Sequence, residues 1–182
     1  YWTEMVCETY VQLDCDPGTS EGSIDGEIAA DRLATLELSR VTATPQRVHR
    51  TPARIARATE DYFLVSIQSQ GKGYVIQDGR TAHLTPGDFA LYDSTRPYEL
   101  RFDGAFQQYV LMMPGPTLRT ALRDTHRLTA SAVSGKRGAG HLMIGMIRTL
   151  AGRLDQANQQ IELLRNPEQE TRLVLLQPVY EP

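Results

Sequence analysis

Apolar and polar residues alternate along the middle of the chain, between Leu33 and Pro114, and this pattern predicts short β-strands. A strand points successive side chains to opposite faces, so alternation of this kind separates two faces of one strand. The clearest case is the segment Asp61–Gln70. One predicted face of this strand carries Phe63, Val65 and Ile67, and the other carries Tyr62, Leu64, Ser66 and Gln68.

Turn residues separate the predicted strands at nearly regular intervals. Asp78-Gly79 can take the positive φ angles of a type I′ hairpin turn, and Pro86-Gly87-Asp88 predicts a tight turn between two further strands. Upstream, an alternating segment predicts Leu36, Leu38 and Val41 near one face of a half-buried strand. Six or more short strands with such spacing predict a closed barrel or a sandwich, because closure removes exposed strand edges.

The spacing of apolar residues becomes helical after Pro116. We predict a long helix over Ala139–Leu164, and a last helix over Gln169–Glu181 that Pro178 disturbs near its end. At the other end of the chain, Trp2–Tyr10 can form a short helix. The pattern therefore predicts strands first and most of the helical residues after them.

The long helix carries an apolar stripe with a spacing of four residues. Its members are Leu142, Met146, Leu150 and Leu154. Such a stripe either packs on the barrel or faces a partner chain. Because a small barrel offers limited surface to several helices, we predict that the stripe forms the interface of a homodimer.

Composition and charge narrow the function classes. The 182 residues are 41% hydrophobic and 23% charged, which is typical of a soluble globular domain, and the net charge of −3 argues against an unaided nucleic-acid binder. There is no apolar run long enough for a membrane span and no secretory leader, so we expect a cytoplasmic protein without a membrane partner. The two cysteines, Cys7 and Cys15, are predicted to be reduced and partly buried.

No catalytic or metal-binding pattern is found in the sequence. It lacks a nucleophile elbow, a dinucleotide-binding fingerprint and a phosphate-binding loop. The four histidines include no pair at HxH spacing, which would place two imidazoles on one face of a strand. We therefore predict no metal, no cofactor, no catalytic residues and no enzyme activity.

The barrel itself is the candidate binding site, because wide barrels hold a ligand among apolar walls with a few directed polar groups. Arg50 and Arg96 are candidates to bind a carboxylate or phosphate by two parallel hydrogen bonds, or alternatively to form surface salt bridges. The other predicted ligand-binding residues are Tyr62, Ser66, Gln68, Tyr92 and Tyr109. Each of these is either pocket lining or part of the wet outer face.

Several of these segments together resemble the N-terminal sensing domain of AraC-type transcription regulators. The matching strings are RVHRT at Arg47–Thr51, the QDGR hairpin, the LTPGD turn and YDSTRPY, followed by a helical tail. The resemblance implies an α+β fold. In it, a cupin-like β-barrel of the jelly-roll type with a short N-terminal helix spans residues 1–115, and an antiparallel helical dimerisation or linker segment spans residues 116–182.

The resemblance also implies a function. In this family the domain binds a small organic effector or mediates dimerisation, and helix-turn-helix motifs downstream contact DNA and recruit RNA polymerase. No such motifs follow in this chain, so DNA and polymerase are expected as partners only through a domain absent here. A metal-dependent cupin enzyme and a purely structural dimerisation domain are the alternatives, and neither the effector nor the promoter follows from the sequence.

Overall fold

The computed structural model describes residues 1–18, 22–59 and 61–165. Within these ranges the strands are β1 (Asp14–Pro17), β2 (Gly26–Leu33), β3 (Leu36–Ala43), β4 (Gln46–Arg50), β5 (Tyr62–Gln70), β6 (Gly73–Gln77), β7 (Arg80–Leu84), β8 (Asp88–Asp93), β9 (Tyr98–Phe102), β10 (Phe106–Pro114) and β11 (Val133–Ser134). The helices are α1 (Trp2–Thr9), α2 (Pro52–Ile55), α3 (Gly115–Ala121) and α4 (Gly138–Arg165), with a 3-10 turn at Thr125–Arg127. None of the helices in the described part of the chain combines the length and apolar character needed to cross a bilayer.

The strands form two antiparallel sheets that enclose a common interior. One sheet has the order β1-β4-β9-β6-β7, and the other has the order β11-β8-β5-β10-β3-β2. The interior core draws its apolar side chains from both sheets and from α1. The prediction of an α+β fold with a cupin-like barrel is therefore confirmed.

Turn chemistry sets the connections as predicted. Asp78 and Gly79 have φ angles of 53° and 72°, and they join β6 to β7 in a two-residue hairpin with Gln77 opposite Arg80. At the second turn Gly87 has a φ of 95°, a value that favours glycine. These turn residues therefore determine how consecutive strands connect at this end of the barrel.

Strand β5 is buried on both of its faces. Its inner face points Leu64, Ser66 and Gln68 into the barrel, while Val65 and Ile67 point outward into a second apolar cluster beneath α4. The predicted alternation of this strand is confirmed.

The face predicted for β3 needs a correction. Leu36 and Leu38 belong to the outer cluster, as a pair two residues apart should, but Val41 lies in the interior core. An odd separation of three residues on a regular strand puts Leu38 and Val41 on opposite faces. The prediction that Val41 shares their face is wrong.

Helix α4 covers the outer face of the second sheet. It begins and ends within one residue of the predicted bounds. Ile144 and Ile147 are buried against the sheet, and Met143 and Leu150 are partly buried beside them.

Two members of the predicted stripe of α4 point away from the sheet. Leu142 and Met146 are 75% and 59% exposed. The helix therefore packs on the barrel with one face and leaves an apolar second face uncovered in this structure. The side chain of Leu154 and the last predicted helix, Gln169–Glu181, lie outside the residues whose contacts are described.

We predict that Ile147→Ala lowers the free energy of unfolding by about 2–5 kcal/mol, since it leaves a cavity between α4 and the sheet. Ile147 is 1% exposed, whereas Thr149 two residues later is exposed. The matched control Thr149→Ala should stay within about 0.5 kcal/mol of the unchanged protein. Urea denaturation followed by circular dichroism measures both values. Equal stability of the two variants would show that α4 does not depend on this contact.

Candidate functional site

The interior of the barrel contains a narrow cavity with a wall of aliphatic and aromatic side chains. The two sheets and α1 all contribute to it, and its aromatic members are Trp2, Tyr10, Tyr92, Tyr98, Phe102 and Phe106. The centre of a water-sized sphere can move through about 40 Å³ of this space. That is room for a few waters at most, since one water needs about 10–15 Å³ on this measure. The cavity is therefore nearly filled by the protein's own side chains.

Two glutamines supply the amide groups of this cavity. Gln46 on β4 accepts a hydrogen bond of 2.8 Å from the indole Nε1–H of Trp2. Gln108 on β10 is only 4% exposed and lines the cavity, yet its side-chain amide makes no hydrogen bond to any residue in the described ranges. An amide that faces an apolar cavity can both donate and accept hydrogen bonds, so it marks a place where a ligand group can bind.

Buried tyrosines give the cavity its hydroxyl groups. The Tyr92 hydroxyl lies 3.0 Å from Ser66 Oγ, and the Tyr92 ring packs edge-on against Tyr98 with 4.8 Å between centroids. Tyr10 and Ser39 form a hydrogen bond across the open side of the barrel. Burial raises the pKa of Tyr10, Tyr92 and Tyr98 above the ordinary value of a phenol. These hydroxyls are therefore neutral at physiological pH and can both donate and accept hydrogen bonds.

Arg50 lies at one mouth of the barrel, on the inner face of β4. Its side chain is 1% exposed. Its Nε donates to the carbonyl of Ser94 at 3.1 Å and its Nη1 to the carbonyl of Gln12 at 2.6 Å. Burial lowers its pKa, and no carboxylate among the described residues pairs with it. A buried guanidinium held only by carbonyl groups is uncommon, because buried charges are usually paired.

A cleft opens beside Arg50 at the same mouth. The phenol rings of Tyr10 and Tyr62 and the side chain of Arg57 form part of its wall. Tyr10 lines both this cleft and the interior cavity, so its ring separates the two spaces. The structure thus brings Arg50 and Tyr62 together at one opening.

The remaining predicted site residues divide between the interior and other places. Ser66, Gln68 and Tyr92 face the interior; Gln68 Nε2 donates to the carbonyl of Gln70, while its Oε1 has no partner among the described residues. Arg96 lies in the turn before β9 and pairs there with the carboxylates of Asp78 and Asp93, so it does not line the cavity.

Tyr109 points to the opposite side of its strand, into the cluster beneath α4. Strand alternation puts Gln108, and not Tyr109, in the cavity. Trp2, Gln46, Phe102 and Phe106 also line the cavity but were not among the residues predicted from the sequence. The spacing of Tyr98, Leu100 and Phe102 at every second residue was a usable signal for one inner face, whereas nothing local marks Trp2 as a cavity residue.

Metal and thiol chemistry find no support at this site. Across the described ranges, no group of three or more histidine, cysteine, aspartate or glutamate side chains is placed to hold a metal ion. Both cysteines are free thiols and half-buried. Burial raises the pKa of Cys15 to about 12, so its nucleophilic thiolate is scarce at neutral pH.

Comparisons with known proteins agree with the resemblance seen in the sequence. A family model described as the AraC-binding-like domain matches residues 2–176. A Bacillus protein of strain OxB-1, described as an uncharacterized protein in the nit 5′ region, is 40% identical over 152 residues, which are 83% of this chain and 58% of that protein. The transcriptional activator NphR from Rhodococcus is 28% identical over 144 residues, which are 78% of this chain and 43% of the activator.

Among solved structures, the AraC-like transcriptional activator CuxR superposes with a TM-score of 0.63 at 20% identity. The match covers 91% of this chain and 56% of the activator, and at this identity it shows the fold. The chain spans about half the length of the curated relatives it matches. The family and the activator NphR point to a domain of a transcription regulator rather than to an enzyme.

We predict that Arg50→Met lowers the free energy of unfolding by about 1–3 kcal/mol, because the buried carbonyl of Ser94 and the partly buried carbonyl of Gln12 lose their donor. The exposed neighbour Arg57 serves as the matched control, and Arg57→Met should change stability by no more than about 0.5 kcal/mol. Urea denaturation measures both. If Arg50→Met were as stable as the unchanged protein, the guanidinium would not be a structural clamp, and an anion would be the remaining reason for its burial.

Proposed function

The chain belongs to the AraC-binding-like domain family, the effector-binding part of AraC-type transcription regulators, and we propose that a small organic effector binds inside its barrel. The observation that carries this proposal is the Gln108 amide, which belongs to a side chain only 4% exposed, lines the apolar cavity and makes no hydrogen bond to another described residue. An effector that fills the cavity and hydrogen-bonds to this amide would satisfy it. Apolar walls with a few directed polar groups are the usual composition of small-molecule sites.

The mouth at Arg50 suits an acidic group of the effector. The guanidinium is buried and has only carbonyl partners, so a carboxylate there would gain charge-assisted hydrogen bonds. Tyr62 lies at the same cleft. An effector whose ring lies in the cavity and whose acidic group reaches Arg50 would have to move Tyr10, which separates the two spaces.

Strand β5 offers a route by which the effector can act at a distance. Its inner residue Ser66 lies in the barrel, and its outer residues Val65 and Ile67 contact the cluster that contains Ile144 and Ile147 of α4. A change in the packing of the interior therefore reaches α4 through one strand. We propose that effector binding shifts α4 between two arrangements, for which the effector must have different affinities.

The uncovered face of α4 is proposed as a homodimer interface. Leu142 and Met146 expose apolar surface next to the contact with the sheet. In a two-fold dimer the same patch meets itself, and a helix of 28 residues, about 42 Å long, presents enough surface for this. Leu150 is partly buried in the cluster and Leu154 would extend the stripe. In the parent protein, helix-turn-helix units would then contact DNA and RNA polymerase in the cytoplasm.

We predict that Gln108→Leu weakens effector binding at least tenfold without lowering stability. The substitution removes no hydrogen bond within the described protein, so the unfolding free energy should stay equal or rise. Calorimetric titration with monocyclic aromatic alcohols, amides and carboxylates measures the affinity, and urea denaturation measures the stability. If the variant binds as tightly as the unchanged protein, Gln108 does not contact the effector.

A screen in which no small molecule binds the unchanged protein would instead favour a structural dimerisation domain. Elemental analysis tests the enzyme alternative, because stoichiometric iron, manganese or zinc in the purified protein would contradict the proposed function.

We predict that Leu142→Glu combined with Met146→Glu converts the dimer to a monomer, because charges would have to be buried in an apolar interface. Both side chains are exposed in the single chain, so its fold should be unaffected. Thr81→Glu, at an exposed position of β7 in the other sheet, is the control and should remain dimeric. Sedimentation velocity measures the mass. An unchanged protein that is monomeric at high concentration would contradict a dimer through α4.

A further inference from the structure

Helix α1 closes the barrel along its open side. It contacts β1 at the edge of one sheet and β2 at the edge of the other. The indole of Trp2 reaches through this opening into the cavity and donates its Nε1–H to Gln46 Oε1. The first helix is thus part of the wall of the proposed effector site.

The indole of Trp2 fits a slot that a larger neighbour would destroy. A Cβ atom built on Gly26 would lie 2.5 Å from both Cη2 and Cζ3 of the Trp2 ring, and 2.9 Å from the Cβ atom of Ala43. Small residues on the two adjacent strands β2 and β3 therefore leave room for a flat ring. One hydrogen bond to Gln46 then fixes the orientation of the ring.

We infer that the Trp2 indole occupies the place of the effector in this structure, and that the effector is a flat aromatic molecule with an N–H or O–H donor that competes with Trp2 for Gln46. This inference rests on the proposed function and makes it more specific. The slot and the acceptor together define the ligand class, because a ring without a donor would leave Gln46 Oε1 unsatisfied.

The size of the cavity indicates that an aromatic ligand must displace a side chain and cannot simply bind beside it. The free space of about 40 Å³ does not admit an aromatic ring, since a cavity that binds benzene is about 150 Å³. A side chain must leave before such a ligand enters. The strand residues of the wall are held by sheet hydrogen bonds to neighbouring strands.

Trp2 lies instead on helix α1, outside both sheets. Its place in the wall depends on side-chain packing and on one hydrogen bond to Gln46, not on sheet hydrogen bonds. Trp2 is therefore the member of the wall that is most easily displaced.

The experiment uses the fact that Trp2 is the only tryptophan of the chain. The protein is titrated with phenol, and Trp2 is excited at wavelengths that phenol does not absorb. Phenol should shift the emission to the red and increase quenching by acrylamide, because the displaced indole becomes exposed to water. Anisole has the same ring without a donor and should act at least tenfold more weakly. In Gln46→Leu this difference between phenol and anisole should disappear.

Two variants test the same inference without a ligand-induced signal. Trp2→Gly should bind indole, detected as a rise in melting temperature, and should bind 1-methylindole at least tenfold more weakly because that compound lacks the N–H donor. Gly26→Ala should expose Trp2 to acrylamide with no ligand present. Gly145→Ala, whose added Cβ meets nothing within 4 Å, is the matched control and should leave the emission unchanged.

The outcomes separate this inference from the proposed function. If calorimetry detects binding of phenol or another aromatic compound while Trp2 emission and quenching stay constant, the inference is wrong and the sensor function stands. If no aromatic compound binds either the unchanged protein or a folded Trp2→Gly, both are wrong. Should Trp2→Gly fail to fold, the titrations of the unchanged protein and of Gln46→Leu still decide the matter.

Discussion

The structure depends on the burial of β5 and β10 on both faces. A sheet covered on one side needs only one apolar face, and its other face can be polar. Here the inner faces of these strands close the barrel, and their outer residues, such as Val65 and Leu111, lie under α4. Cores are close-packed, so a displacement on one side of such a strand is transmitted to the other. The distance between the proposed effector site and the proposed dimer helix is therefore the thickness of one sheet.

The N-terminal segment completes this arrangement from the opposite side. Without α1, the free edges of β1 and β2 would leave the aromatic interior open to water. Trp2 and Val6 instead extend the interior core, and the bonds of Trp2 to Gln46 and of Tyr10 to Ser39 satisfy polar groups inside the opening. Arg50 holds the same segment at the barrel mouth through the carbonyl of Gln12. The polar groups that hold the N-terminal segment in place, such as Gln46 and Arg50, are therefore also the groups that a ligand could bind.

The sequence predicted those features that depend on neighbouring residues. The φ preferences of Asp78-Gly79 predicted a hairpin, and a period of two predicted the two faces of β5. Which of these faces lines the barrel, the one that carries Ser66, did not follow from the pattern. Features that depend on register or on distant contacts were missed. Tyr109 was predicted as a ligand-binding residue but points outward, since an error of one residue in register inverts a strand, and the pairing of β5 with β10 is irregular at Gln107 and Gln108. Trp2 bonds to a residue 44 positions away, so no local pattern could place it in the cavity.

A filled cavity also explains how a sensor can be stable without its effector. A dry cavity large enough for an aromatic ring, about 150 Å³, would cost about 3.6 kcal/mol at 24 cal/mol per Å³. That is a large part of the 5–15 kcal/mol that holds a typical domain together. With Trp2 in the slot beside Gly26, the empty space is only about 40 Å³, so the unliganded domain avoids most of this cost. An effector that takes the slot restores the same packing and leaves α1 free. In the proposed mechanism, binding changes the position of α1 while the stability of the barrel is kept, which is what a two-state sensor requires.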